Sequence, residues 1–129
     1  MALFRRGTVR VFKTAWFSKT AKKARVGDAE LCEAIHQVLQ GQADNLGGGV
    51  FKKRLNRNLY RAIILAKAGQ LWVYEYMFAE RERANIDDAE LAAFRQLAKS
   101  YAVLTDPQIA CLIEGGDFTE ICHADQAPV

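Results

Sequence analysis

The stretch from Val50 to Phe78 constrains the fold most, because its pattern is extended and its interruptions are turn-forming. VFKKRL (50–55) is followed by Asn56-Arg57-Asn58 and then by the nearly continuous apolar run YRAIILAKA (60–68). Gly69-Gln70 separates that run from LWVYEYMF (71–78). β-Branched and aromatic residues favour strands, and Asn and Gly tolerate the backbone of tight turns. The last two runs are therefore expected to pair as a hairpin, and the whole segment reads as three consecutive strands.

The flanks read differently. Thr8–Lys13 (TVRVFK) alternates as a short strand, and Thr14 is placed to cap a helix through AWFSKTAKKAR, with Phe17, Ala21 and Ala24 on one side. Gly27 breaks that helix, and Asp28 is expected to cap a second whose apolar stripe is Leu31, Ile35, Val38 and Leu39. Gly41 ends it, and QADNLGGG is expected to be a loop in which Gly47 to Gly49 supply positive φ at a turn. Asp87 with Glu90 three residues later forms an acidic capping box for a third helix, which buries Leu91, Phe94, Leu97, Ala98 and Tyr101. Thr105 and Pro107 open a short last helix that stops at Gly115-Gly116, and the tail from Cys122 to Val129 is expected to fray. The order β-α-α-β-β-β-α-α describes an α+β protein, a small antiparallel sheet with helices packed on one face. At 129 residues it suits a single domain, 1–129.

Composition removes several classes of function. No apolar run approaches the roughly 20 residues of a membrane span. MALFRRGTVRVF lacks the apolar core of a secretory signal. Cys32, Cys111 and Cys122 match neither a disulfide framework nor a zinc pattern, which favours a reducing cytoplasm and three ordinary thiols. The net charge of +3 conceals a division: residues 1–67 carry 14 Lys+Arg and 4 Asp+Glu, whereas residues 68–129 carry 4 and 11. Clustered positive charge attracts polyanions, although two such halves also neutralise each other if they meet in space.

VFKKRL is where chemistry concentrates. Strand alternation sends Phe51 and Leu55 to one face and Lys52 with Arg54 to the other, with Lys53 turned aside. Adjacent cations on one face do not stabilise a fold; they suit a phosphate, or else keep a sheet face soluble. Arg61 begins the next strand, Arg57 sits in the turn, and Arg81 and Arg83 share a face if the third strand continues that far. Trp72, Tyr74, Tyr76 and Phe78 alternate along one face, for core packing or for base stacking. His36 follows Cys32 at a ligand-compatible spacing without a third ligand, Cys122-His123 lies in the tail, and the glycine run lacks a Gly-Lys-Ser/Thr ending. No metal and no cofactor are expected.

The segment GGGVFKKRLNRNLYRAIILAKAGQLWVYEYMFAERERANIDDAEL, with FKKRL, YRAIILAK and ERERANIDD as its most specific pieces, resembles RelE/HigB-type toxins of the RelE/ParE superfamily. The likeness covers residues 8–104, leaving a C-terminal helical extension at 105–121. It implies the RelE-like β-α-α-β-β-β-α fold with an extra C-terminal helix. It also implies a bacterial type II toxin that cuts mRNA on the ribosome, its 2′-hydroxyl attacking the adjacent phosphate, and an antitoxin partner of the helix-turn-helix DNA-binding kind. By position, the resemblance makes Lys52, Arg54, Arg61 and Arg81 catalytic, with Lys52 the base, Arg61 stabilising the transition state and Arg81 serving the phosphate or the leaving oxygen. Lys53, Arg57, Arg83, Tyr74 and Tyr76 are expected to contact RNA. Asp87 stands where the family's best-known members carry a base-stacking tyrosine; Tyr74 or Tyr76 takes that place if it faces the open side of the sheet. Two other classes fit the same superfamily: a gyrase-binding inhibitor without chemistry, and a non-catalytic RNA-binding module.

Overall fold

A computed structural model describes residues 9–67 and 70–123. Thr8, Ala68, Gly69 and the tail from residue 124 lie outside them. The elements are β1 (Arg10–Thr14), α1 (Ala15–Ala24), α2 (Asp28–Leu39), β2 (Asp44–Gly47), β3 (Val50–Leu55), β4 (Tyr60–Lys67), β5 (Leu71–Ala79), α3 (Asp88–Ala102), α4 (Asp106–Glu114) and β6 (Phe118–His123). They form one six-stranded sheet in the order β2-β3-β4-β5-β1-β6, in which β1 and β5 are parallel and the other pairs antiparallel. The α+β class and the β3–β5 meander agree with the sequence. Among the described residues, no helix is long and apolar enough to cross a membrane.

Capping chemistry sets the helix starts. The Thr14 hydroxyl accepts from the Phe17 N–H, and Asp87/Glu90 and Thr105/Gln108 each close a full capping box. At the β3–β4 turn, Asn56, Arg57 and Asn58 all take positive φ. Gly49 is required at the β2–β3 turn, because with φ +84° an added Cβ would meet the Ala66 carbonyl oxygen at 2.8 Å.

Helices cover both faces of the sheet, not one. Ala62, Ile64, Trp72, Tyr74 and Met77 pack with Phe17 and Ala21 of α1 and Leu31 and Ile35 of α2. Val50, Ile63, Leu65 and Phe78 point the other way and pack with Ala98, Leu91 and Phe94 of α3. Phe12, Leu71 and Val73 meet Ile109 of α4 and Phe118 of β6. The continuous apolarity of YRAIILAK carries this information, since a strand with one wet face alternates and a strand covered on both faces does not. Leu39, placed on the apolar stripe of α2, is 41% exposed at the end of that helix.

Two strands were not anticipated. β2 lies within the expected loop, and β6 runs from just past the expected end of the last helix into the expected tail, pairing with β1. Arg10 of β1 binds Glu120 of β6 through both fork nitrogens, at 2.9 and 2.8 Å. β6 also brings Cys122 to Cys32 of α2, and the two form a disulfide with Cα atoms 6.2 Å apart; Cys111 is free and exposed. The expectation of three unpaired thiols is thereby corrected. Cysteines 90 residues apart have no sequence pattern to announce them.

A β-bulge in β5 redirects the aromatic row. Ile63 pairs with Tyr76 and Ile64 with Tyr74, so Glu75 is the extra residue. Trp72 and Tyr74 therefore face α1 and α2, while Tyr76 and Phe78 face α3. Glu75 accepts a 2.7 Å hydrogen bond from the Tyr101 hydroxyl of α3. Burial pushes the Glu75 carboxyl above its ordinary range, and the Tyr101 bond opposes only part of that shift. A carboxyl raised in the folded state holds its proton more tightly there than in the unfolded chain. Its contribution to stability is thus lost as pH rises from the unfolded carboxylate range through the raised folded value. Glu75→Gln keeps an acceptor for Tyr101 without the charge. It is expected to raise stability at neutral pH by on the order of 1 kcal/mol and to flatten this pH slope, as measured by thermal unfolding across a pH series.

Candidate nucleic-acid interface

The three cations of VFKKRL meet at one cleft because β2 is short. Asp44, the first residue of β2, pairs with Lys52, so the outer edge of β3 is uncovered beyond that point. Side chains from both faces of β3 reach around the free edge. Lys52, Lys53 and Arg54 line a cleft of about 390 Å³ with Gly41, Gln42, Ala43 and Asp44. Lys53, expected to turn aside, belongs to the cluster for this reason.

The three are held differently. The Lys52 ammonium sits 3.7 Å from the Asp44 carboxylate and donates to Asn85 Oδ1 at 3.3 Å, with its side chain only 15% exposed. Lys53 is half-buried, and burial first, then the neighbouring Arg54 charge, lowers its pKa below the ordinary lysine value. Arg54 is exposed and stands opposite Arg61 in the β3–β4 register. Like charges directly opposite destabilise a sheet, and Arg61 escapes much of that cost by turning into the protein. It is 9% exposed and donates from Nη1 to the carbonyls of Asn58 (2.9 Å) and Tyr60 (3.3 Å). Its buried charge props the hairpin turn and adds to the positive potential at Arg54.

The remaining expected residues lie apart from the cleft. Arg57, in the turn, lines an adjoining hollow with Arg54 and the acidic Glu30 and Glu33. β5 ends at Ala79, so Arg81 and Arg83 do not continue a strand face. Arg81 lines a separate groove of about 310 Å³ with Thr20 and Lys23 of α1, Tyr60 and Met77. Arg83 pairs with Glu90, donates to the Asn85 carbonyl at 3.0 Å and lies over the Phe78 ring, which ties the β5–α3 connection to the start of α3. Tyr74 is fully buried and its hydroxyl donates to the Leu31 carbonyl at 2.7 Å, so it does not reach the surface. Tyr76 is partly exposed, stacked against Trp16 at 5.1 Å between ring centroids. Asp87 is the cap of α3, as its sequence context indicates.

A mixed sheet with helices on both faces and a cluster of cations at one edge defines a small α+β protein. The family model of the RelE toxin of the RelE/RelB toxin–antitoxin system matches residues 9–121. The chain belongs to that family, and membership implies an antitoxin as partner. Comparison with curated proteins and with solved structures gives no significant match. The matched span runs past residue 104 into β6.

Proposed function

We propose that this toxin is a ribosome-dependent endoribonuclease that represses translation by cutting mRNA. The observation that carries the reading is the convergence of Lys52, Lys53 and Arg54 on one edge cleft, with Arg61 directly behind Arg54. Attack by the ribose 2′-hydroxyl forms a 2′-O–P bond and breaks the bond to the 5′-oxygen, leaving a cyclic phosphate and a free 5′-hydroxyl. Such a reaction needs a base for the 2′-hydroxyl proton and fixed positive charge around the phosphorane oxygens. Sequence position alone offers Lys52 as the base. We assign that role to Lys53, which lines the cleft half-buried beside Arg54, where burial first and then the Arg54 charge lower its pKa from the ordinary lysine value. Lys52, between Asp44 and Asn85, and the exposed Arg54 then hold the phosphate. Arg81, in its own groove, binds RNA outside the cleft in this scheme.

Primer extension on mRNA in a translating extract tests the proposal. Cuts are expected only when ribosomes are present, and a Lys52→Ala/Arg54→Ala variant is expected to produce none. Intact mRNA together with inhibited gyrase would favour the ligand-only alternative of the superfamily, and unchanged cutting by the double variant would move the chemistry elsewhere.

A further inference from the structure

The first helix carries a second surface with the chemistry of RNA, separate from the cleft. Trp16 is 49% exposed although it is the largest side chain of α1. Tyr76 covers one face of its indole at 5.1 Å with the rings 22° from parallel, so the exposure falls on the other face and the edge. Tyr76 is held from behind by Phe94 at 5.8 Å and Phe78 at 6.0 Å, and its hydroxyl lies 3.5 Å from Arg83 Nη1. The platform is therefore rigid.

Lys19 and Lys23 follow Trp16 at i+3 and i+7, on the same side of the helix, and α1 contains no acidic residue. Both lysines are exposed, and they stand one helical turn apart, about 6 Å. The last β1–β5 pair is Lys13 with Tyr74, so among the described residues no strand covers the β5 edge from Tyr76 to Ala79. The groove holding Lys23 and Arg81 lies between that open edge and α1. A flat aromatic face followed by regularly spaced cations is the pattern by which proteins hold single strands, with bases on rings and phosphates on charges. An apolar helix from a protein partner fits less well, because the charged Lys23, Arg81 and Glu82 stand among the apolar residues of the groove.

We propose that α1 is a single-stranded RNA track in which Trp16, backed by Tyr76, stacks on an unpaired base while Lys19, Lys23 and Arg81 take flanking phosphates. The inference rests on the RNA reading above and deepens it, assigning substrate contact to residues outside the VFKKRL cleft.

Trp72, the second of two tryptophans, is buried, so a Trp72→Phe background makes fluorescence a report on Trp16 alone. An unstructured eight-nucleotide RNA is expected to quench that emission, and an abasic strand with the same phosphates is expected not to. In the otherwise unaltered chain, Trp16→Ala should weaken binding of labelled RNA roughly tenfold or more, with Trp16→Phe restoring most of it. Lys19→Ala/Lys23→Ala should lower the salt dependence of binding. Equal quenching by the abasic strand, or unchanged RNA affinity in Trp16→Ala, overturns the track. Quenching by polyglutamate and not by RNA also overturns it, making the surface a protein contact. Ribosome-dependent cutting that survives while Trp16→Ala binds RNA normally sinks the track and leaves the ribonuclease standing. Trp16-dependent RNA binding by a chain that cuts no mRNA does the reverse.

Discussion

Lys53→Arg is expected to bind mRNA on the ribosome as the native toxin does and to cut it about 100-fold to 10,000-fold more slowly. Arginine keeps the positive charge beside Arg54 but does not release a proton near neutral pH, so the substitution separates a base from a phosphate ligand. Lys52→Arg serves as the counterpart, because a residue that only holds phosphate tolerates the exchange far better. The pH profile adds a second readout. A general-base lysine works as the free amine, so the cleavage rate rises with pH and levels off above the lysine's pKa. Burial and the Arg54 charge both lower the Lys53 value, which moves that rise to lower pH than an ordinary lysine would give. Arg54→Gln removes the second cause, so the rising limb should move to higher pH, by less than the whole shift because burial remains. Single-turnover cleavage across a pH series reads both effects. A Lys53→Arg toxin that cuts at the native rate would return the base to Lys52 or remove general-base chemistry from the cleft.

The same cleft shows where the sequence was legible and where it was not. Turn chemistry at Asn56–Asn58 and the contrast between VFKKRL and its neighbours were enough to place β3 and β4, and the capping residues Thr14, Asp87 and Thr105 marked helix starts to within a residue. Periodicity also paired Lys52 with Arg54. It could not include Lys53, because that depends on β2 ending opposite Lys52, and β2 is four mostly polar residues with no strand-like alternation. Tyr76 and Phe78 were misdirected by a single residue. The bulge at Glu75 turns half of β5 over, and strand alternation read through a bulge puts every residue beyond it on the wrong face. The stacking partner of Tyr76 was missed for a related reason. Trp16 belongs to a helix that buries Phe17 and Ala21, and the end of β1 opposite Tyr74 leaves Tyr76 open to it.

Ending the chain after Leu104 is expected to abolish stable folding, although the segments most like RelE toxins would all be retained. The cut removes α4 and β6, and with them Ile109 and Phe118, both nearly buried. Phe12, Leu71 and Val73 would lose that cover, including the 5.2 Å ring contact between Phe12 and Phe118. It also removes the Arg10–Glu120 ion pair and the tie from Cys122 to Cys32, and it exposes the hydrogen-bonding edge of β1. Each loss destabilises in the same direction, and domains of this size have only about 5–15 kcal/mol in total. Phe118→Ala isolates the packing component and should cost about 3–5 kcal/mol in denaturant unfolding, the range for deleting a buried aromatic ring. Cys122→Ser isolates the disulfide, whose loss should cost about 2–4 kcal/mol under oxidising conditions and little after reduction of the native chain. A truncated chain that unfolds cooperatively with native-like stability would show that the first 104 residues close a core of their own. The structure argues otherwise, since β1 is an interior strand only because β6 lies beside it.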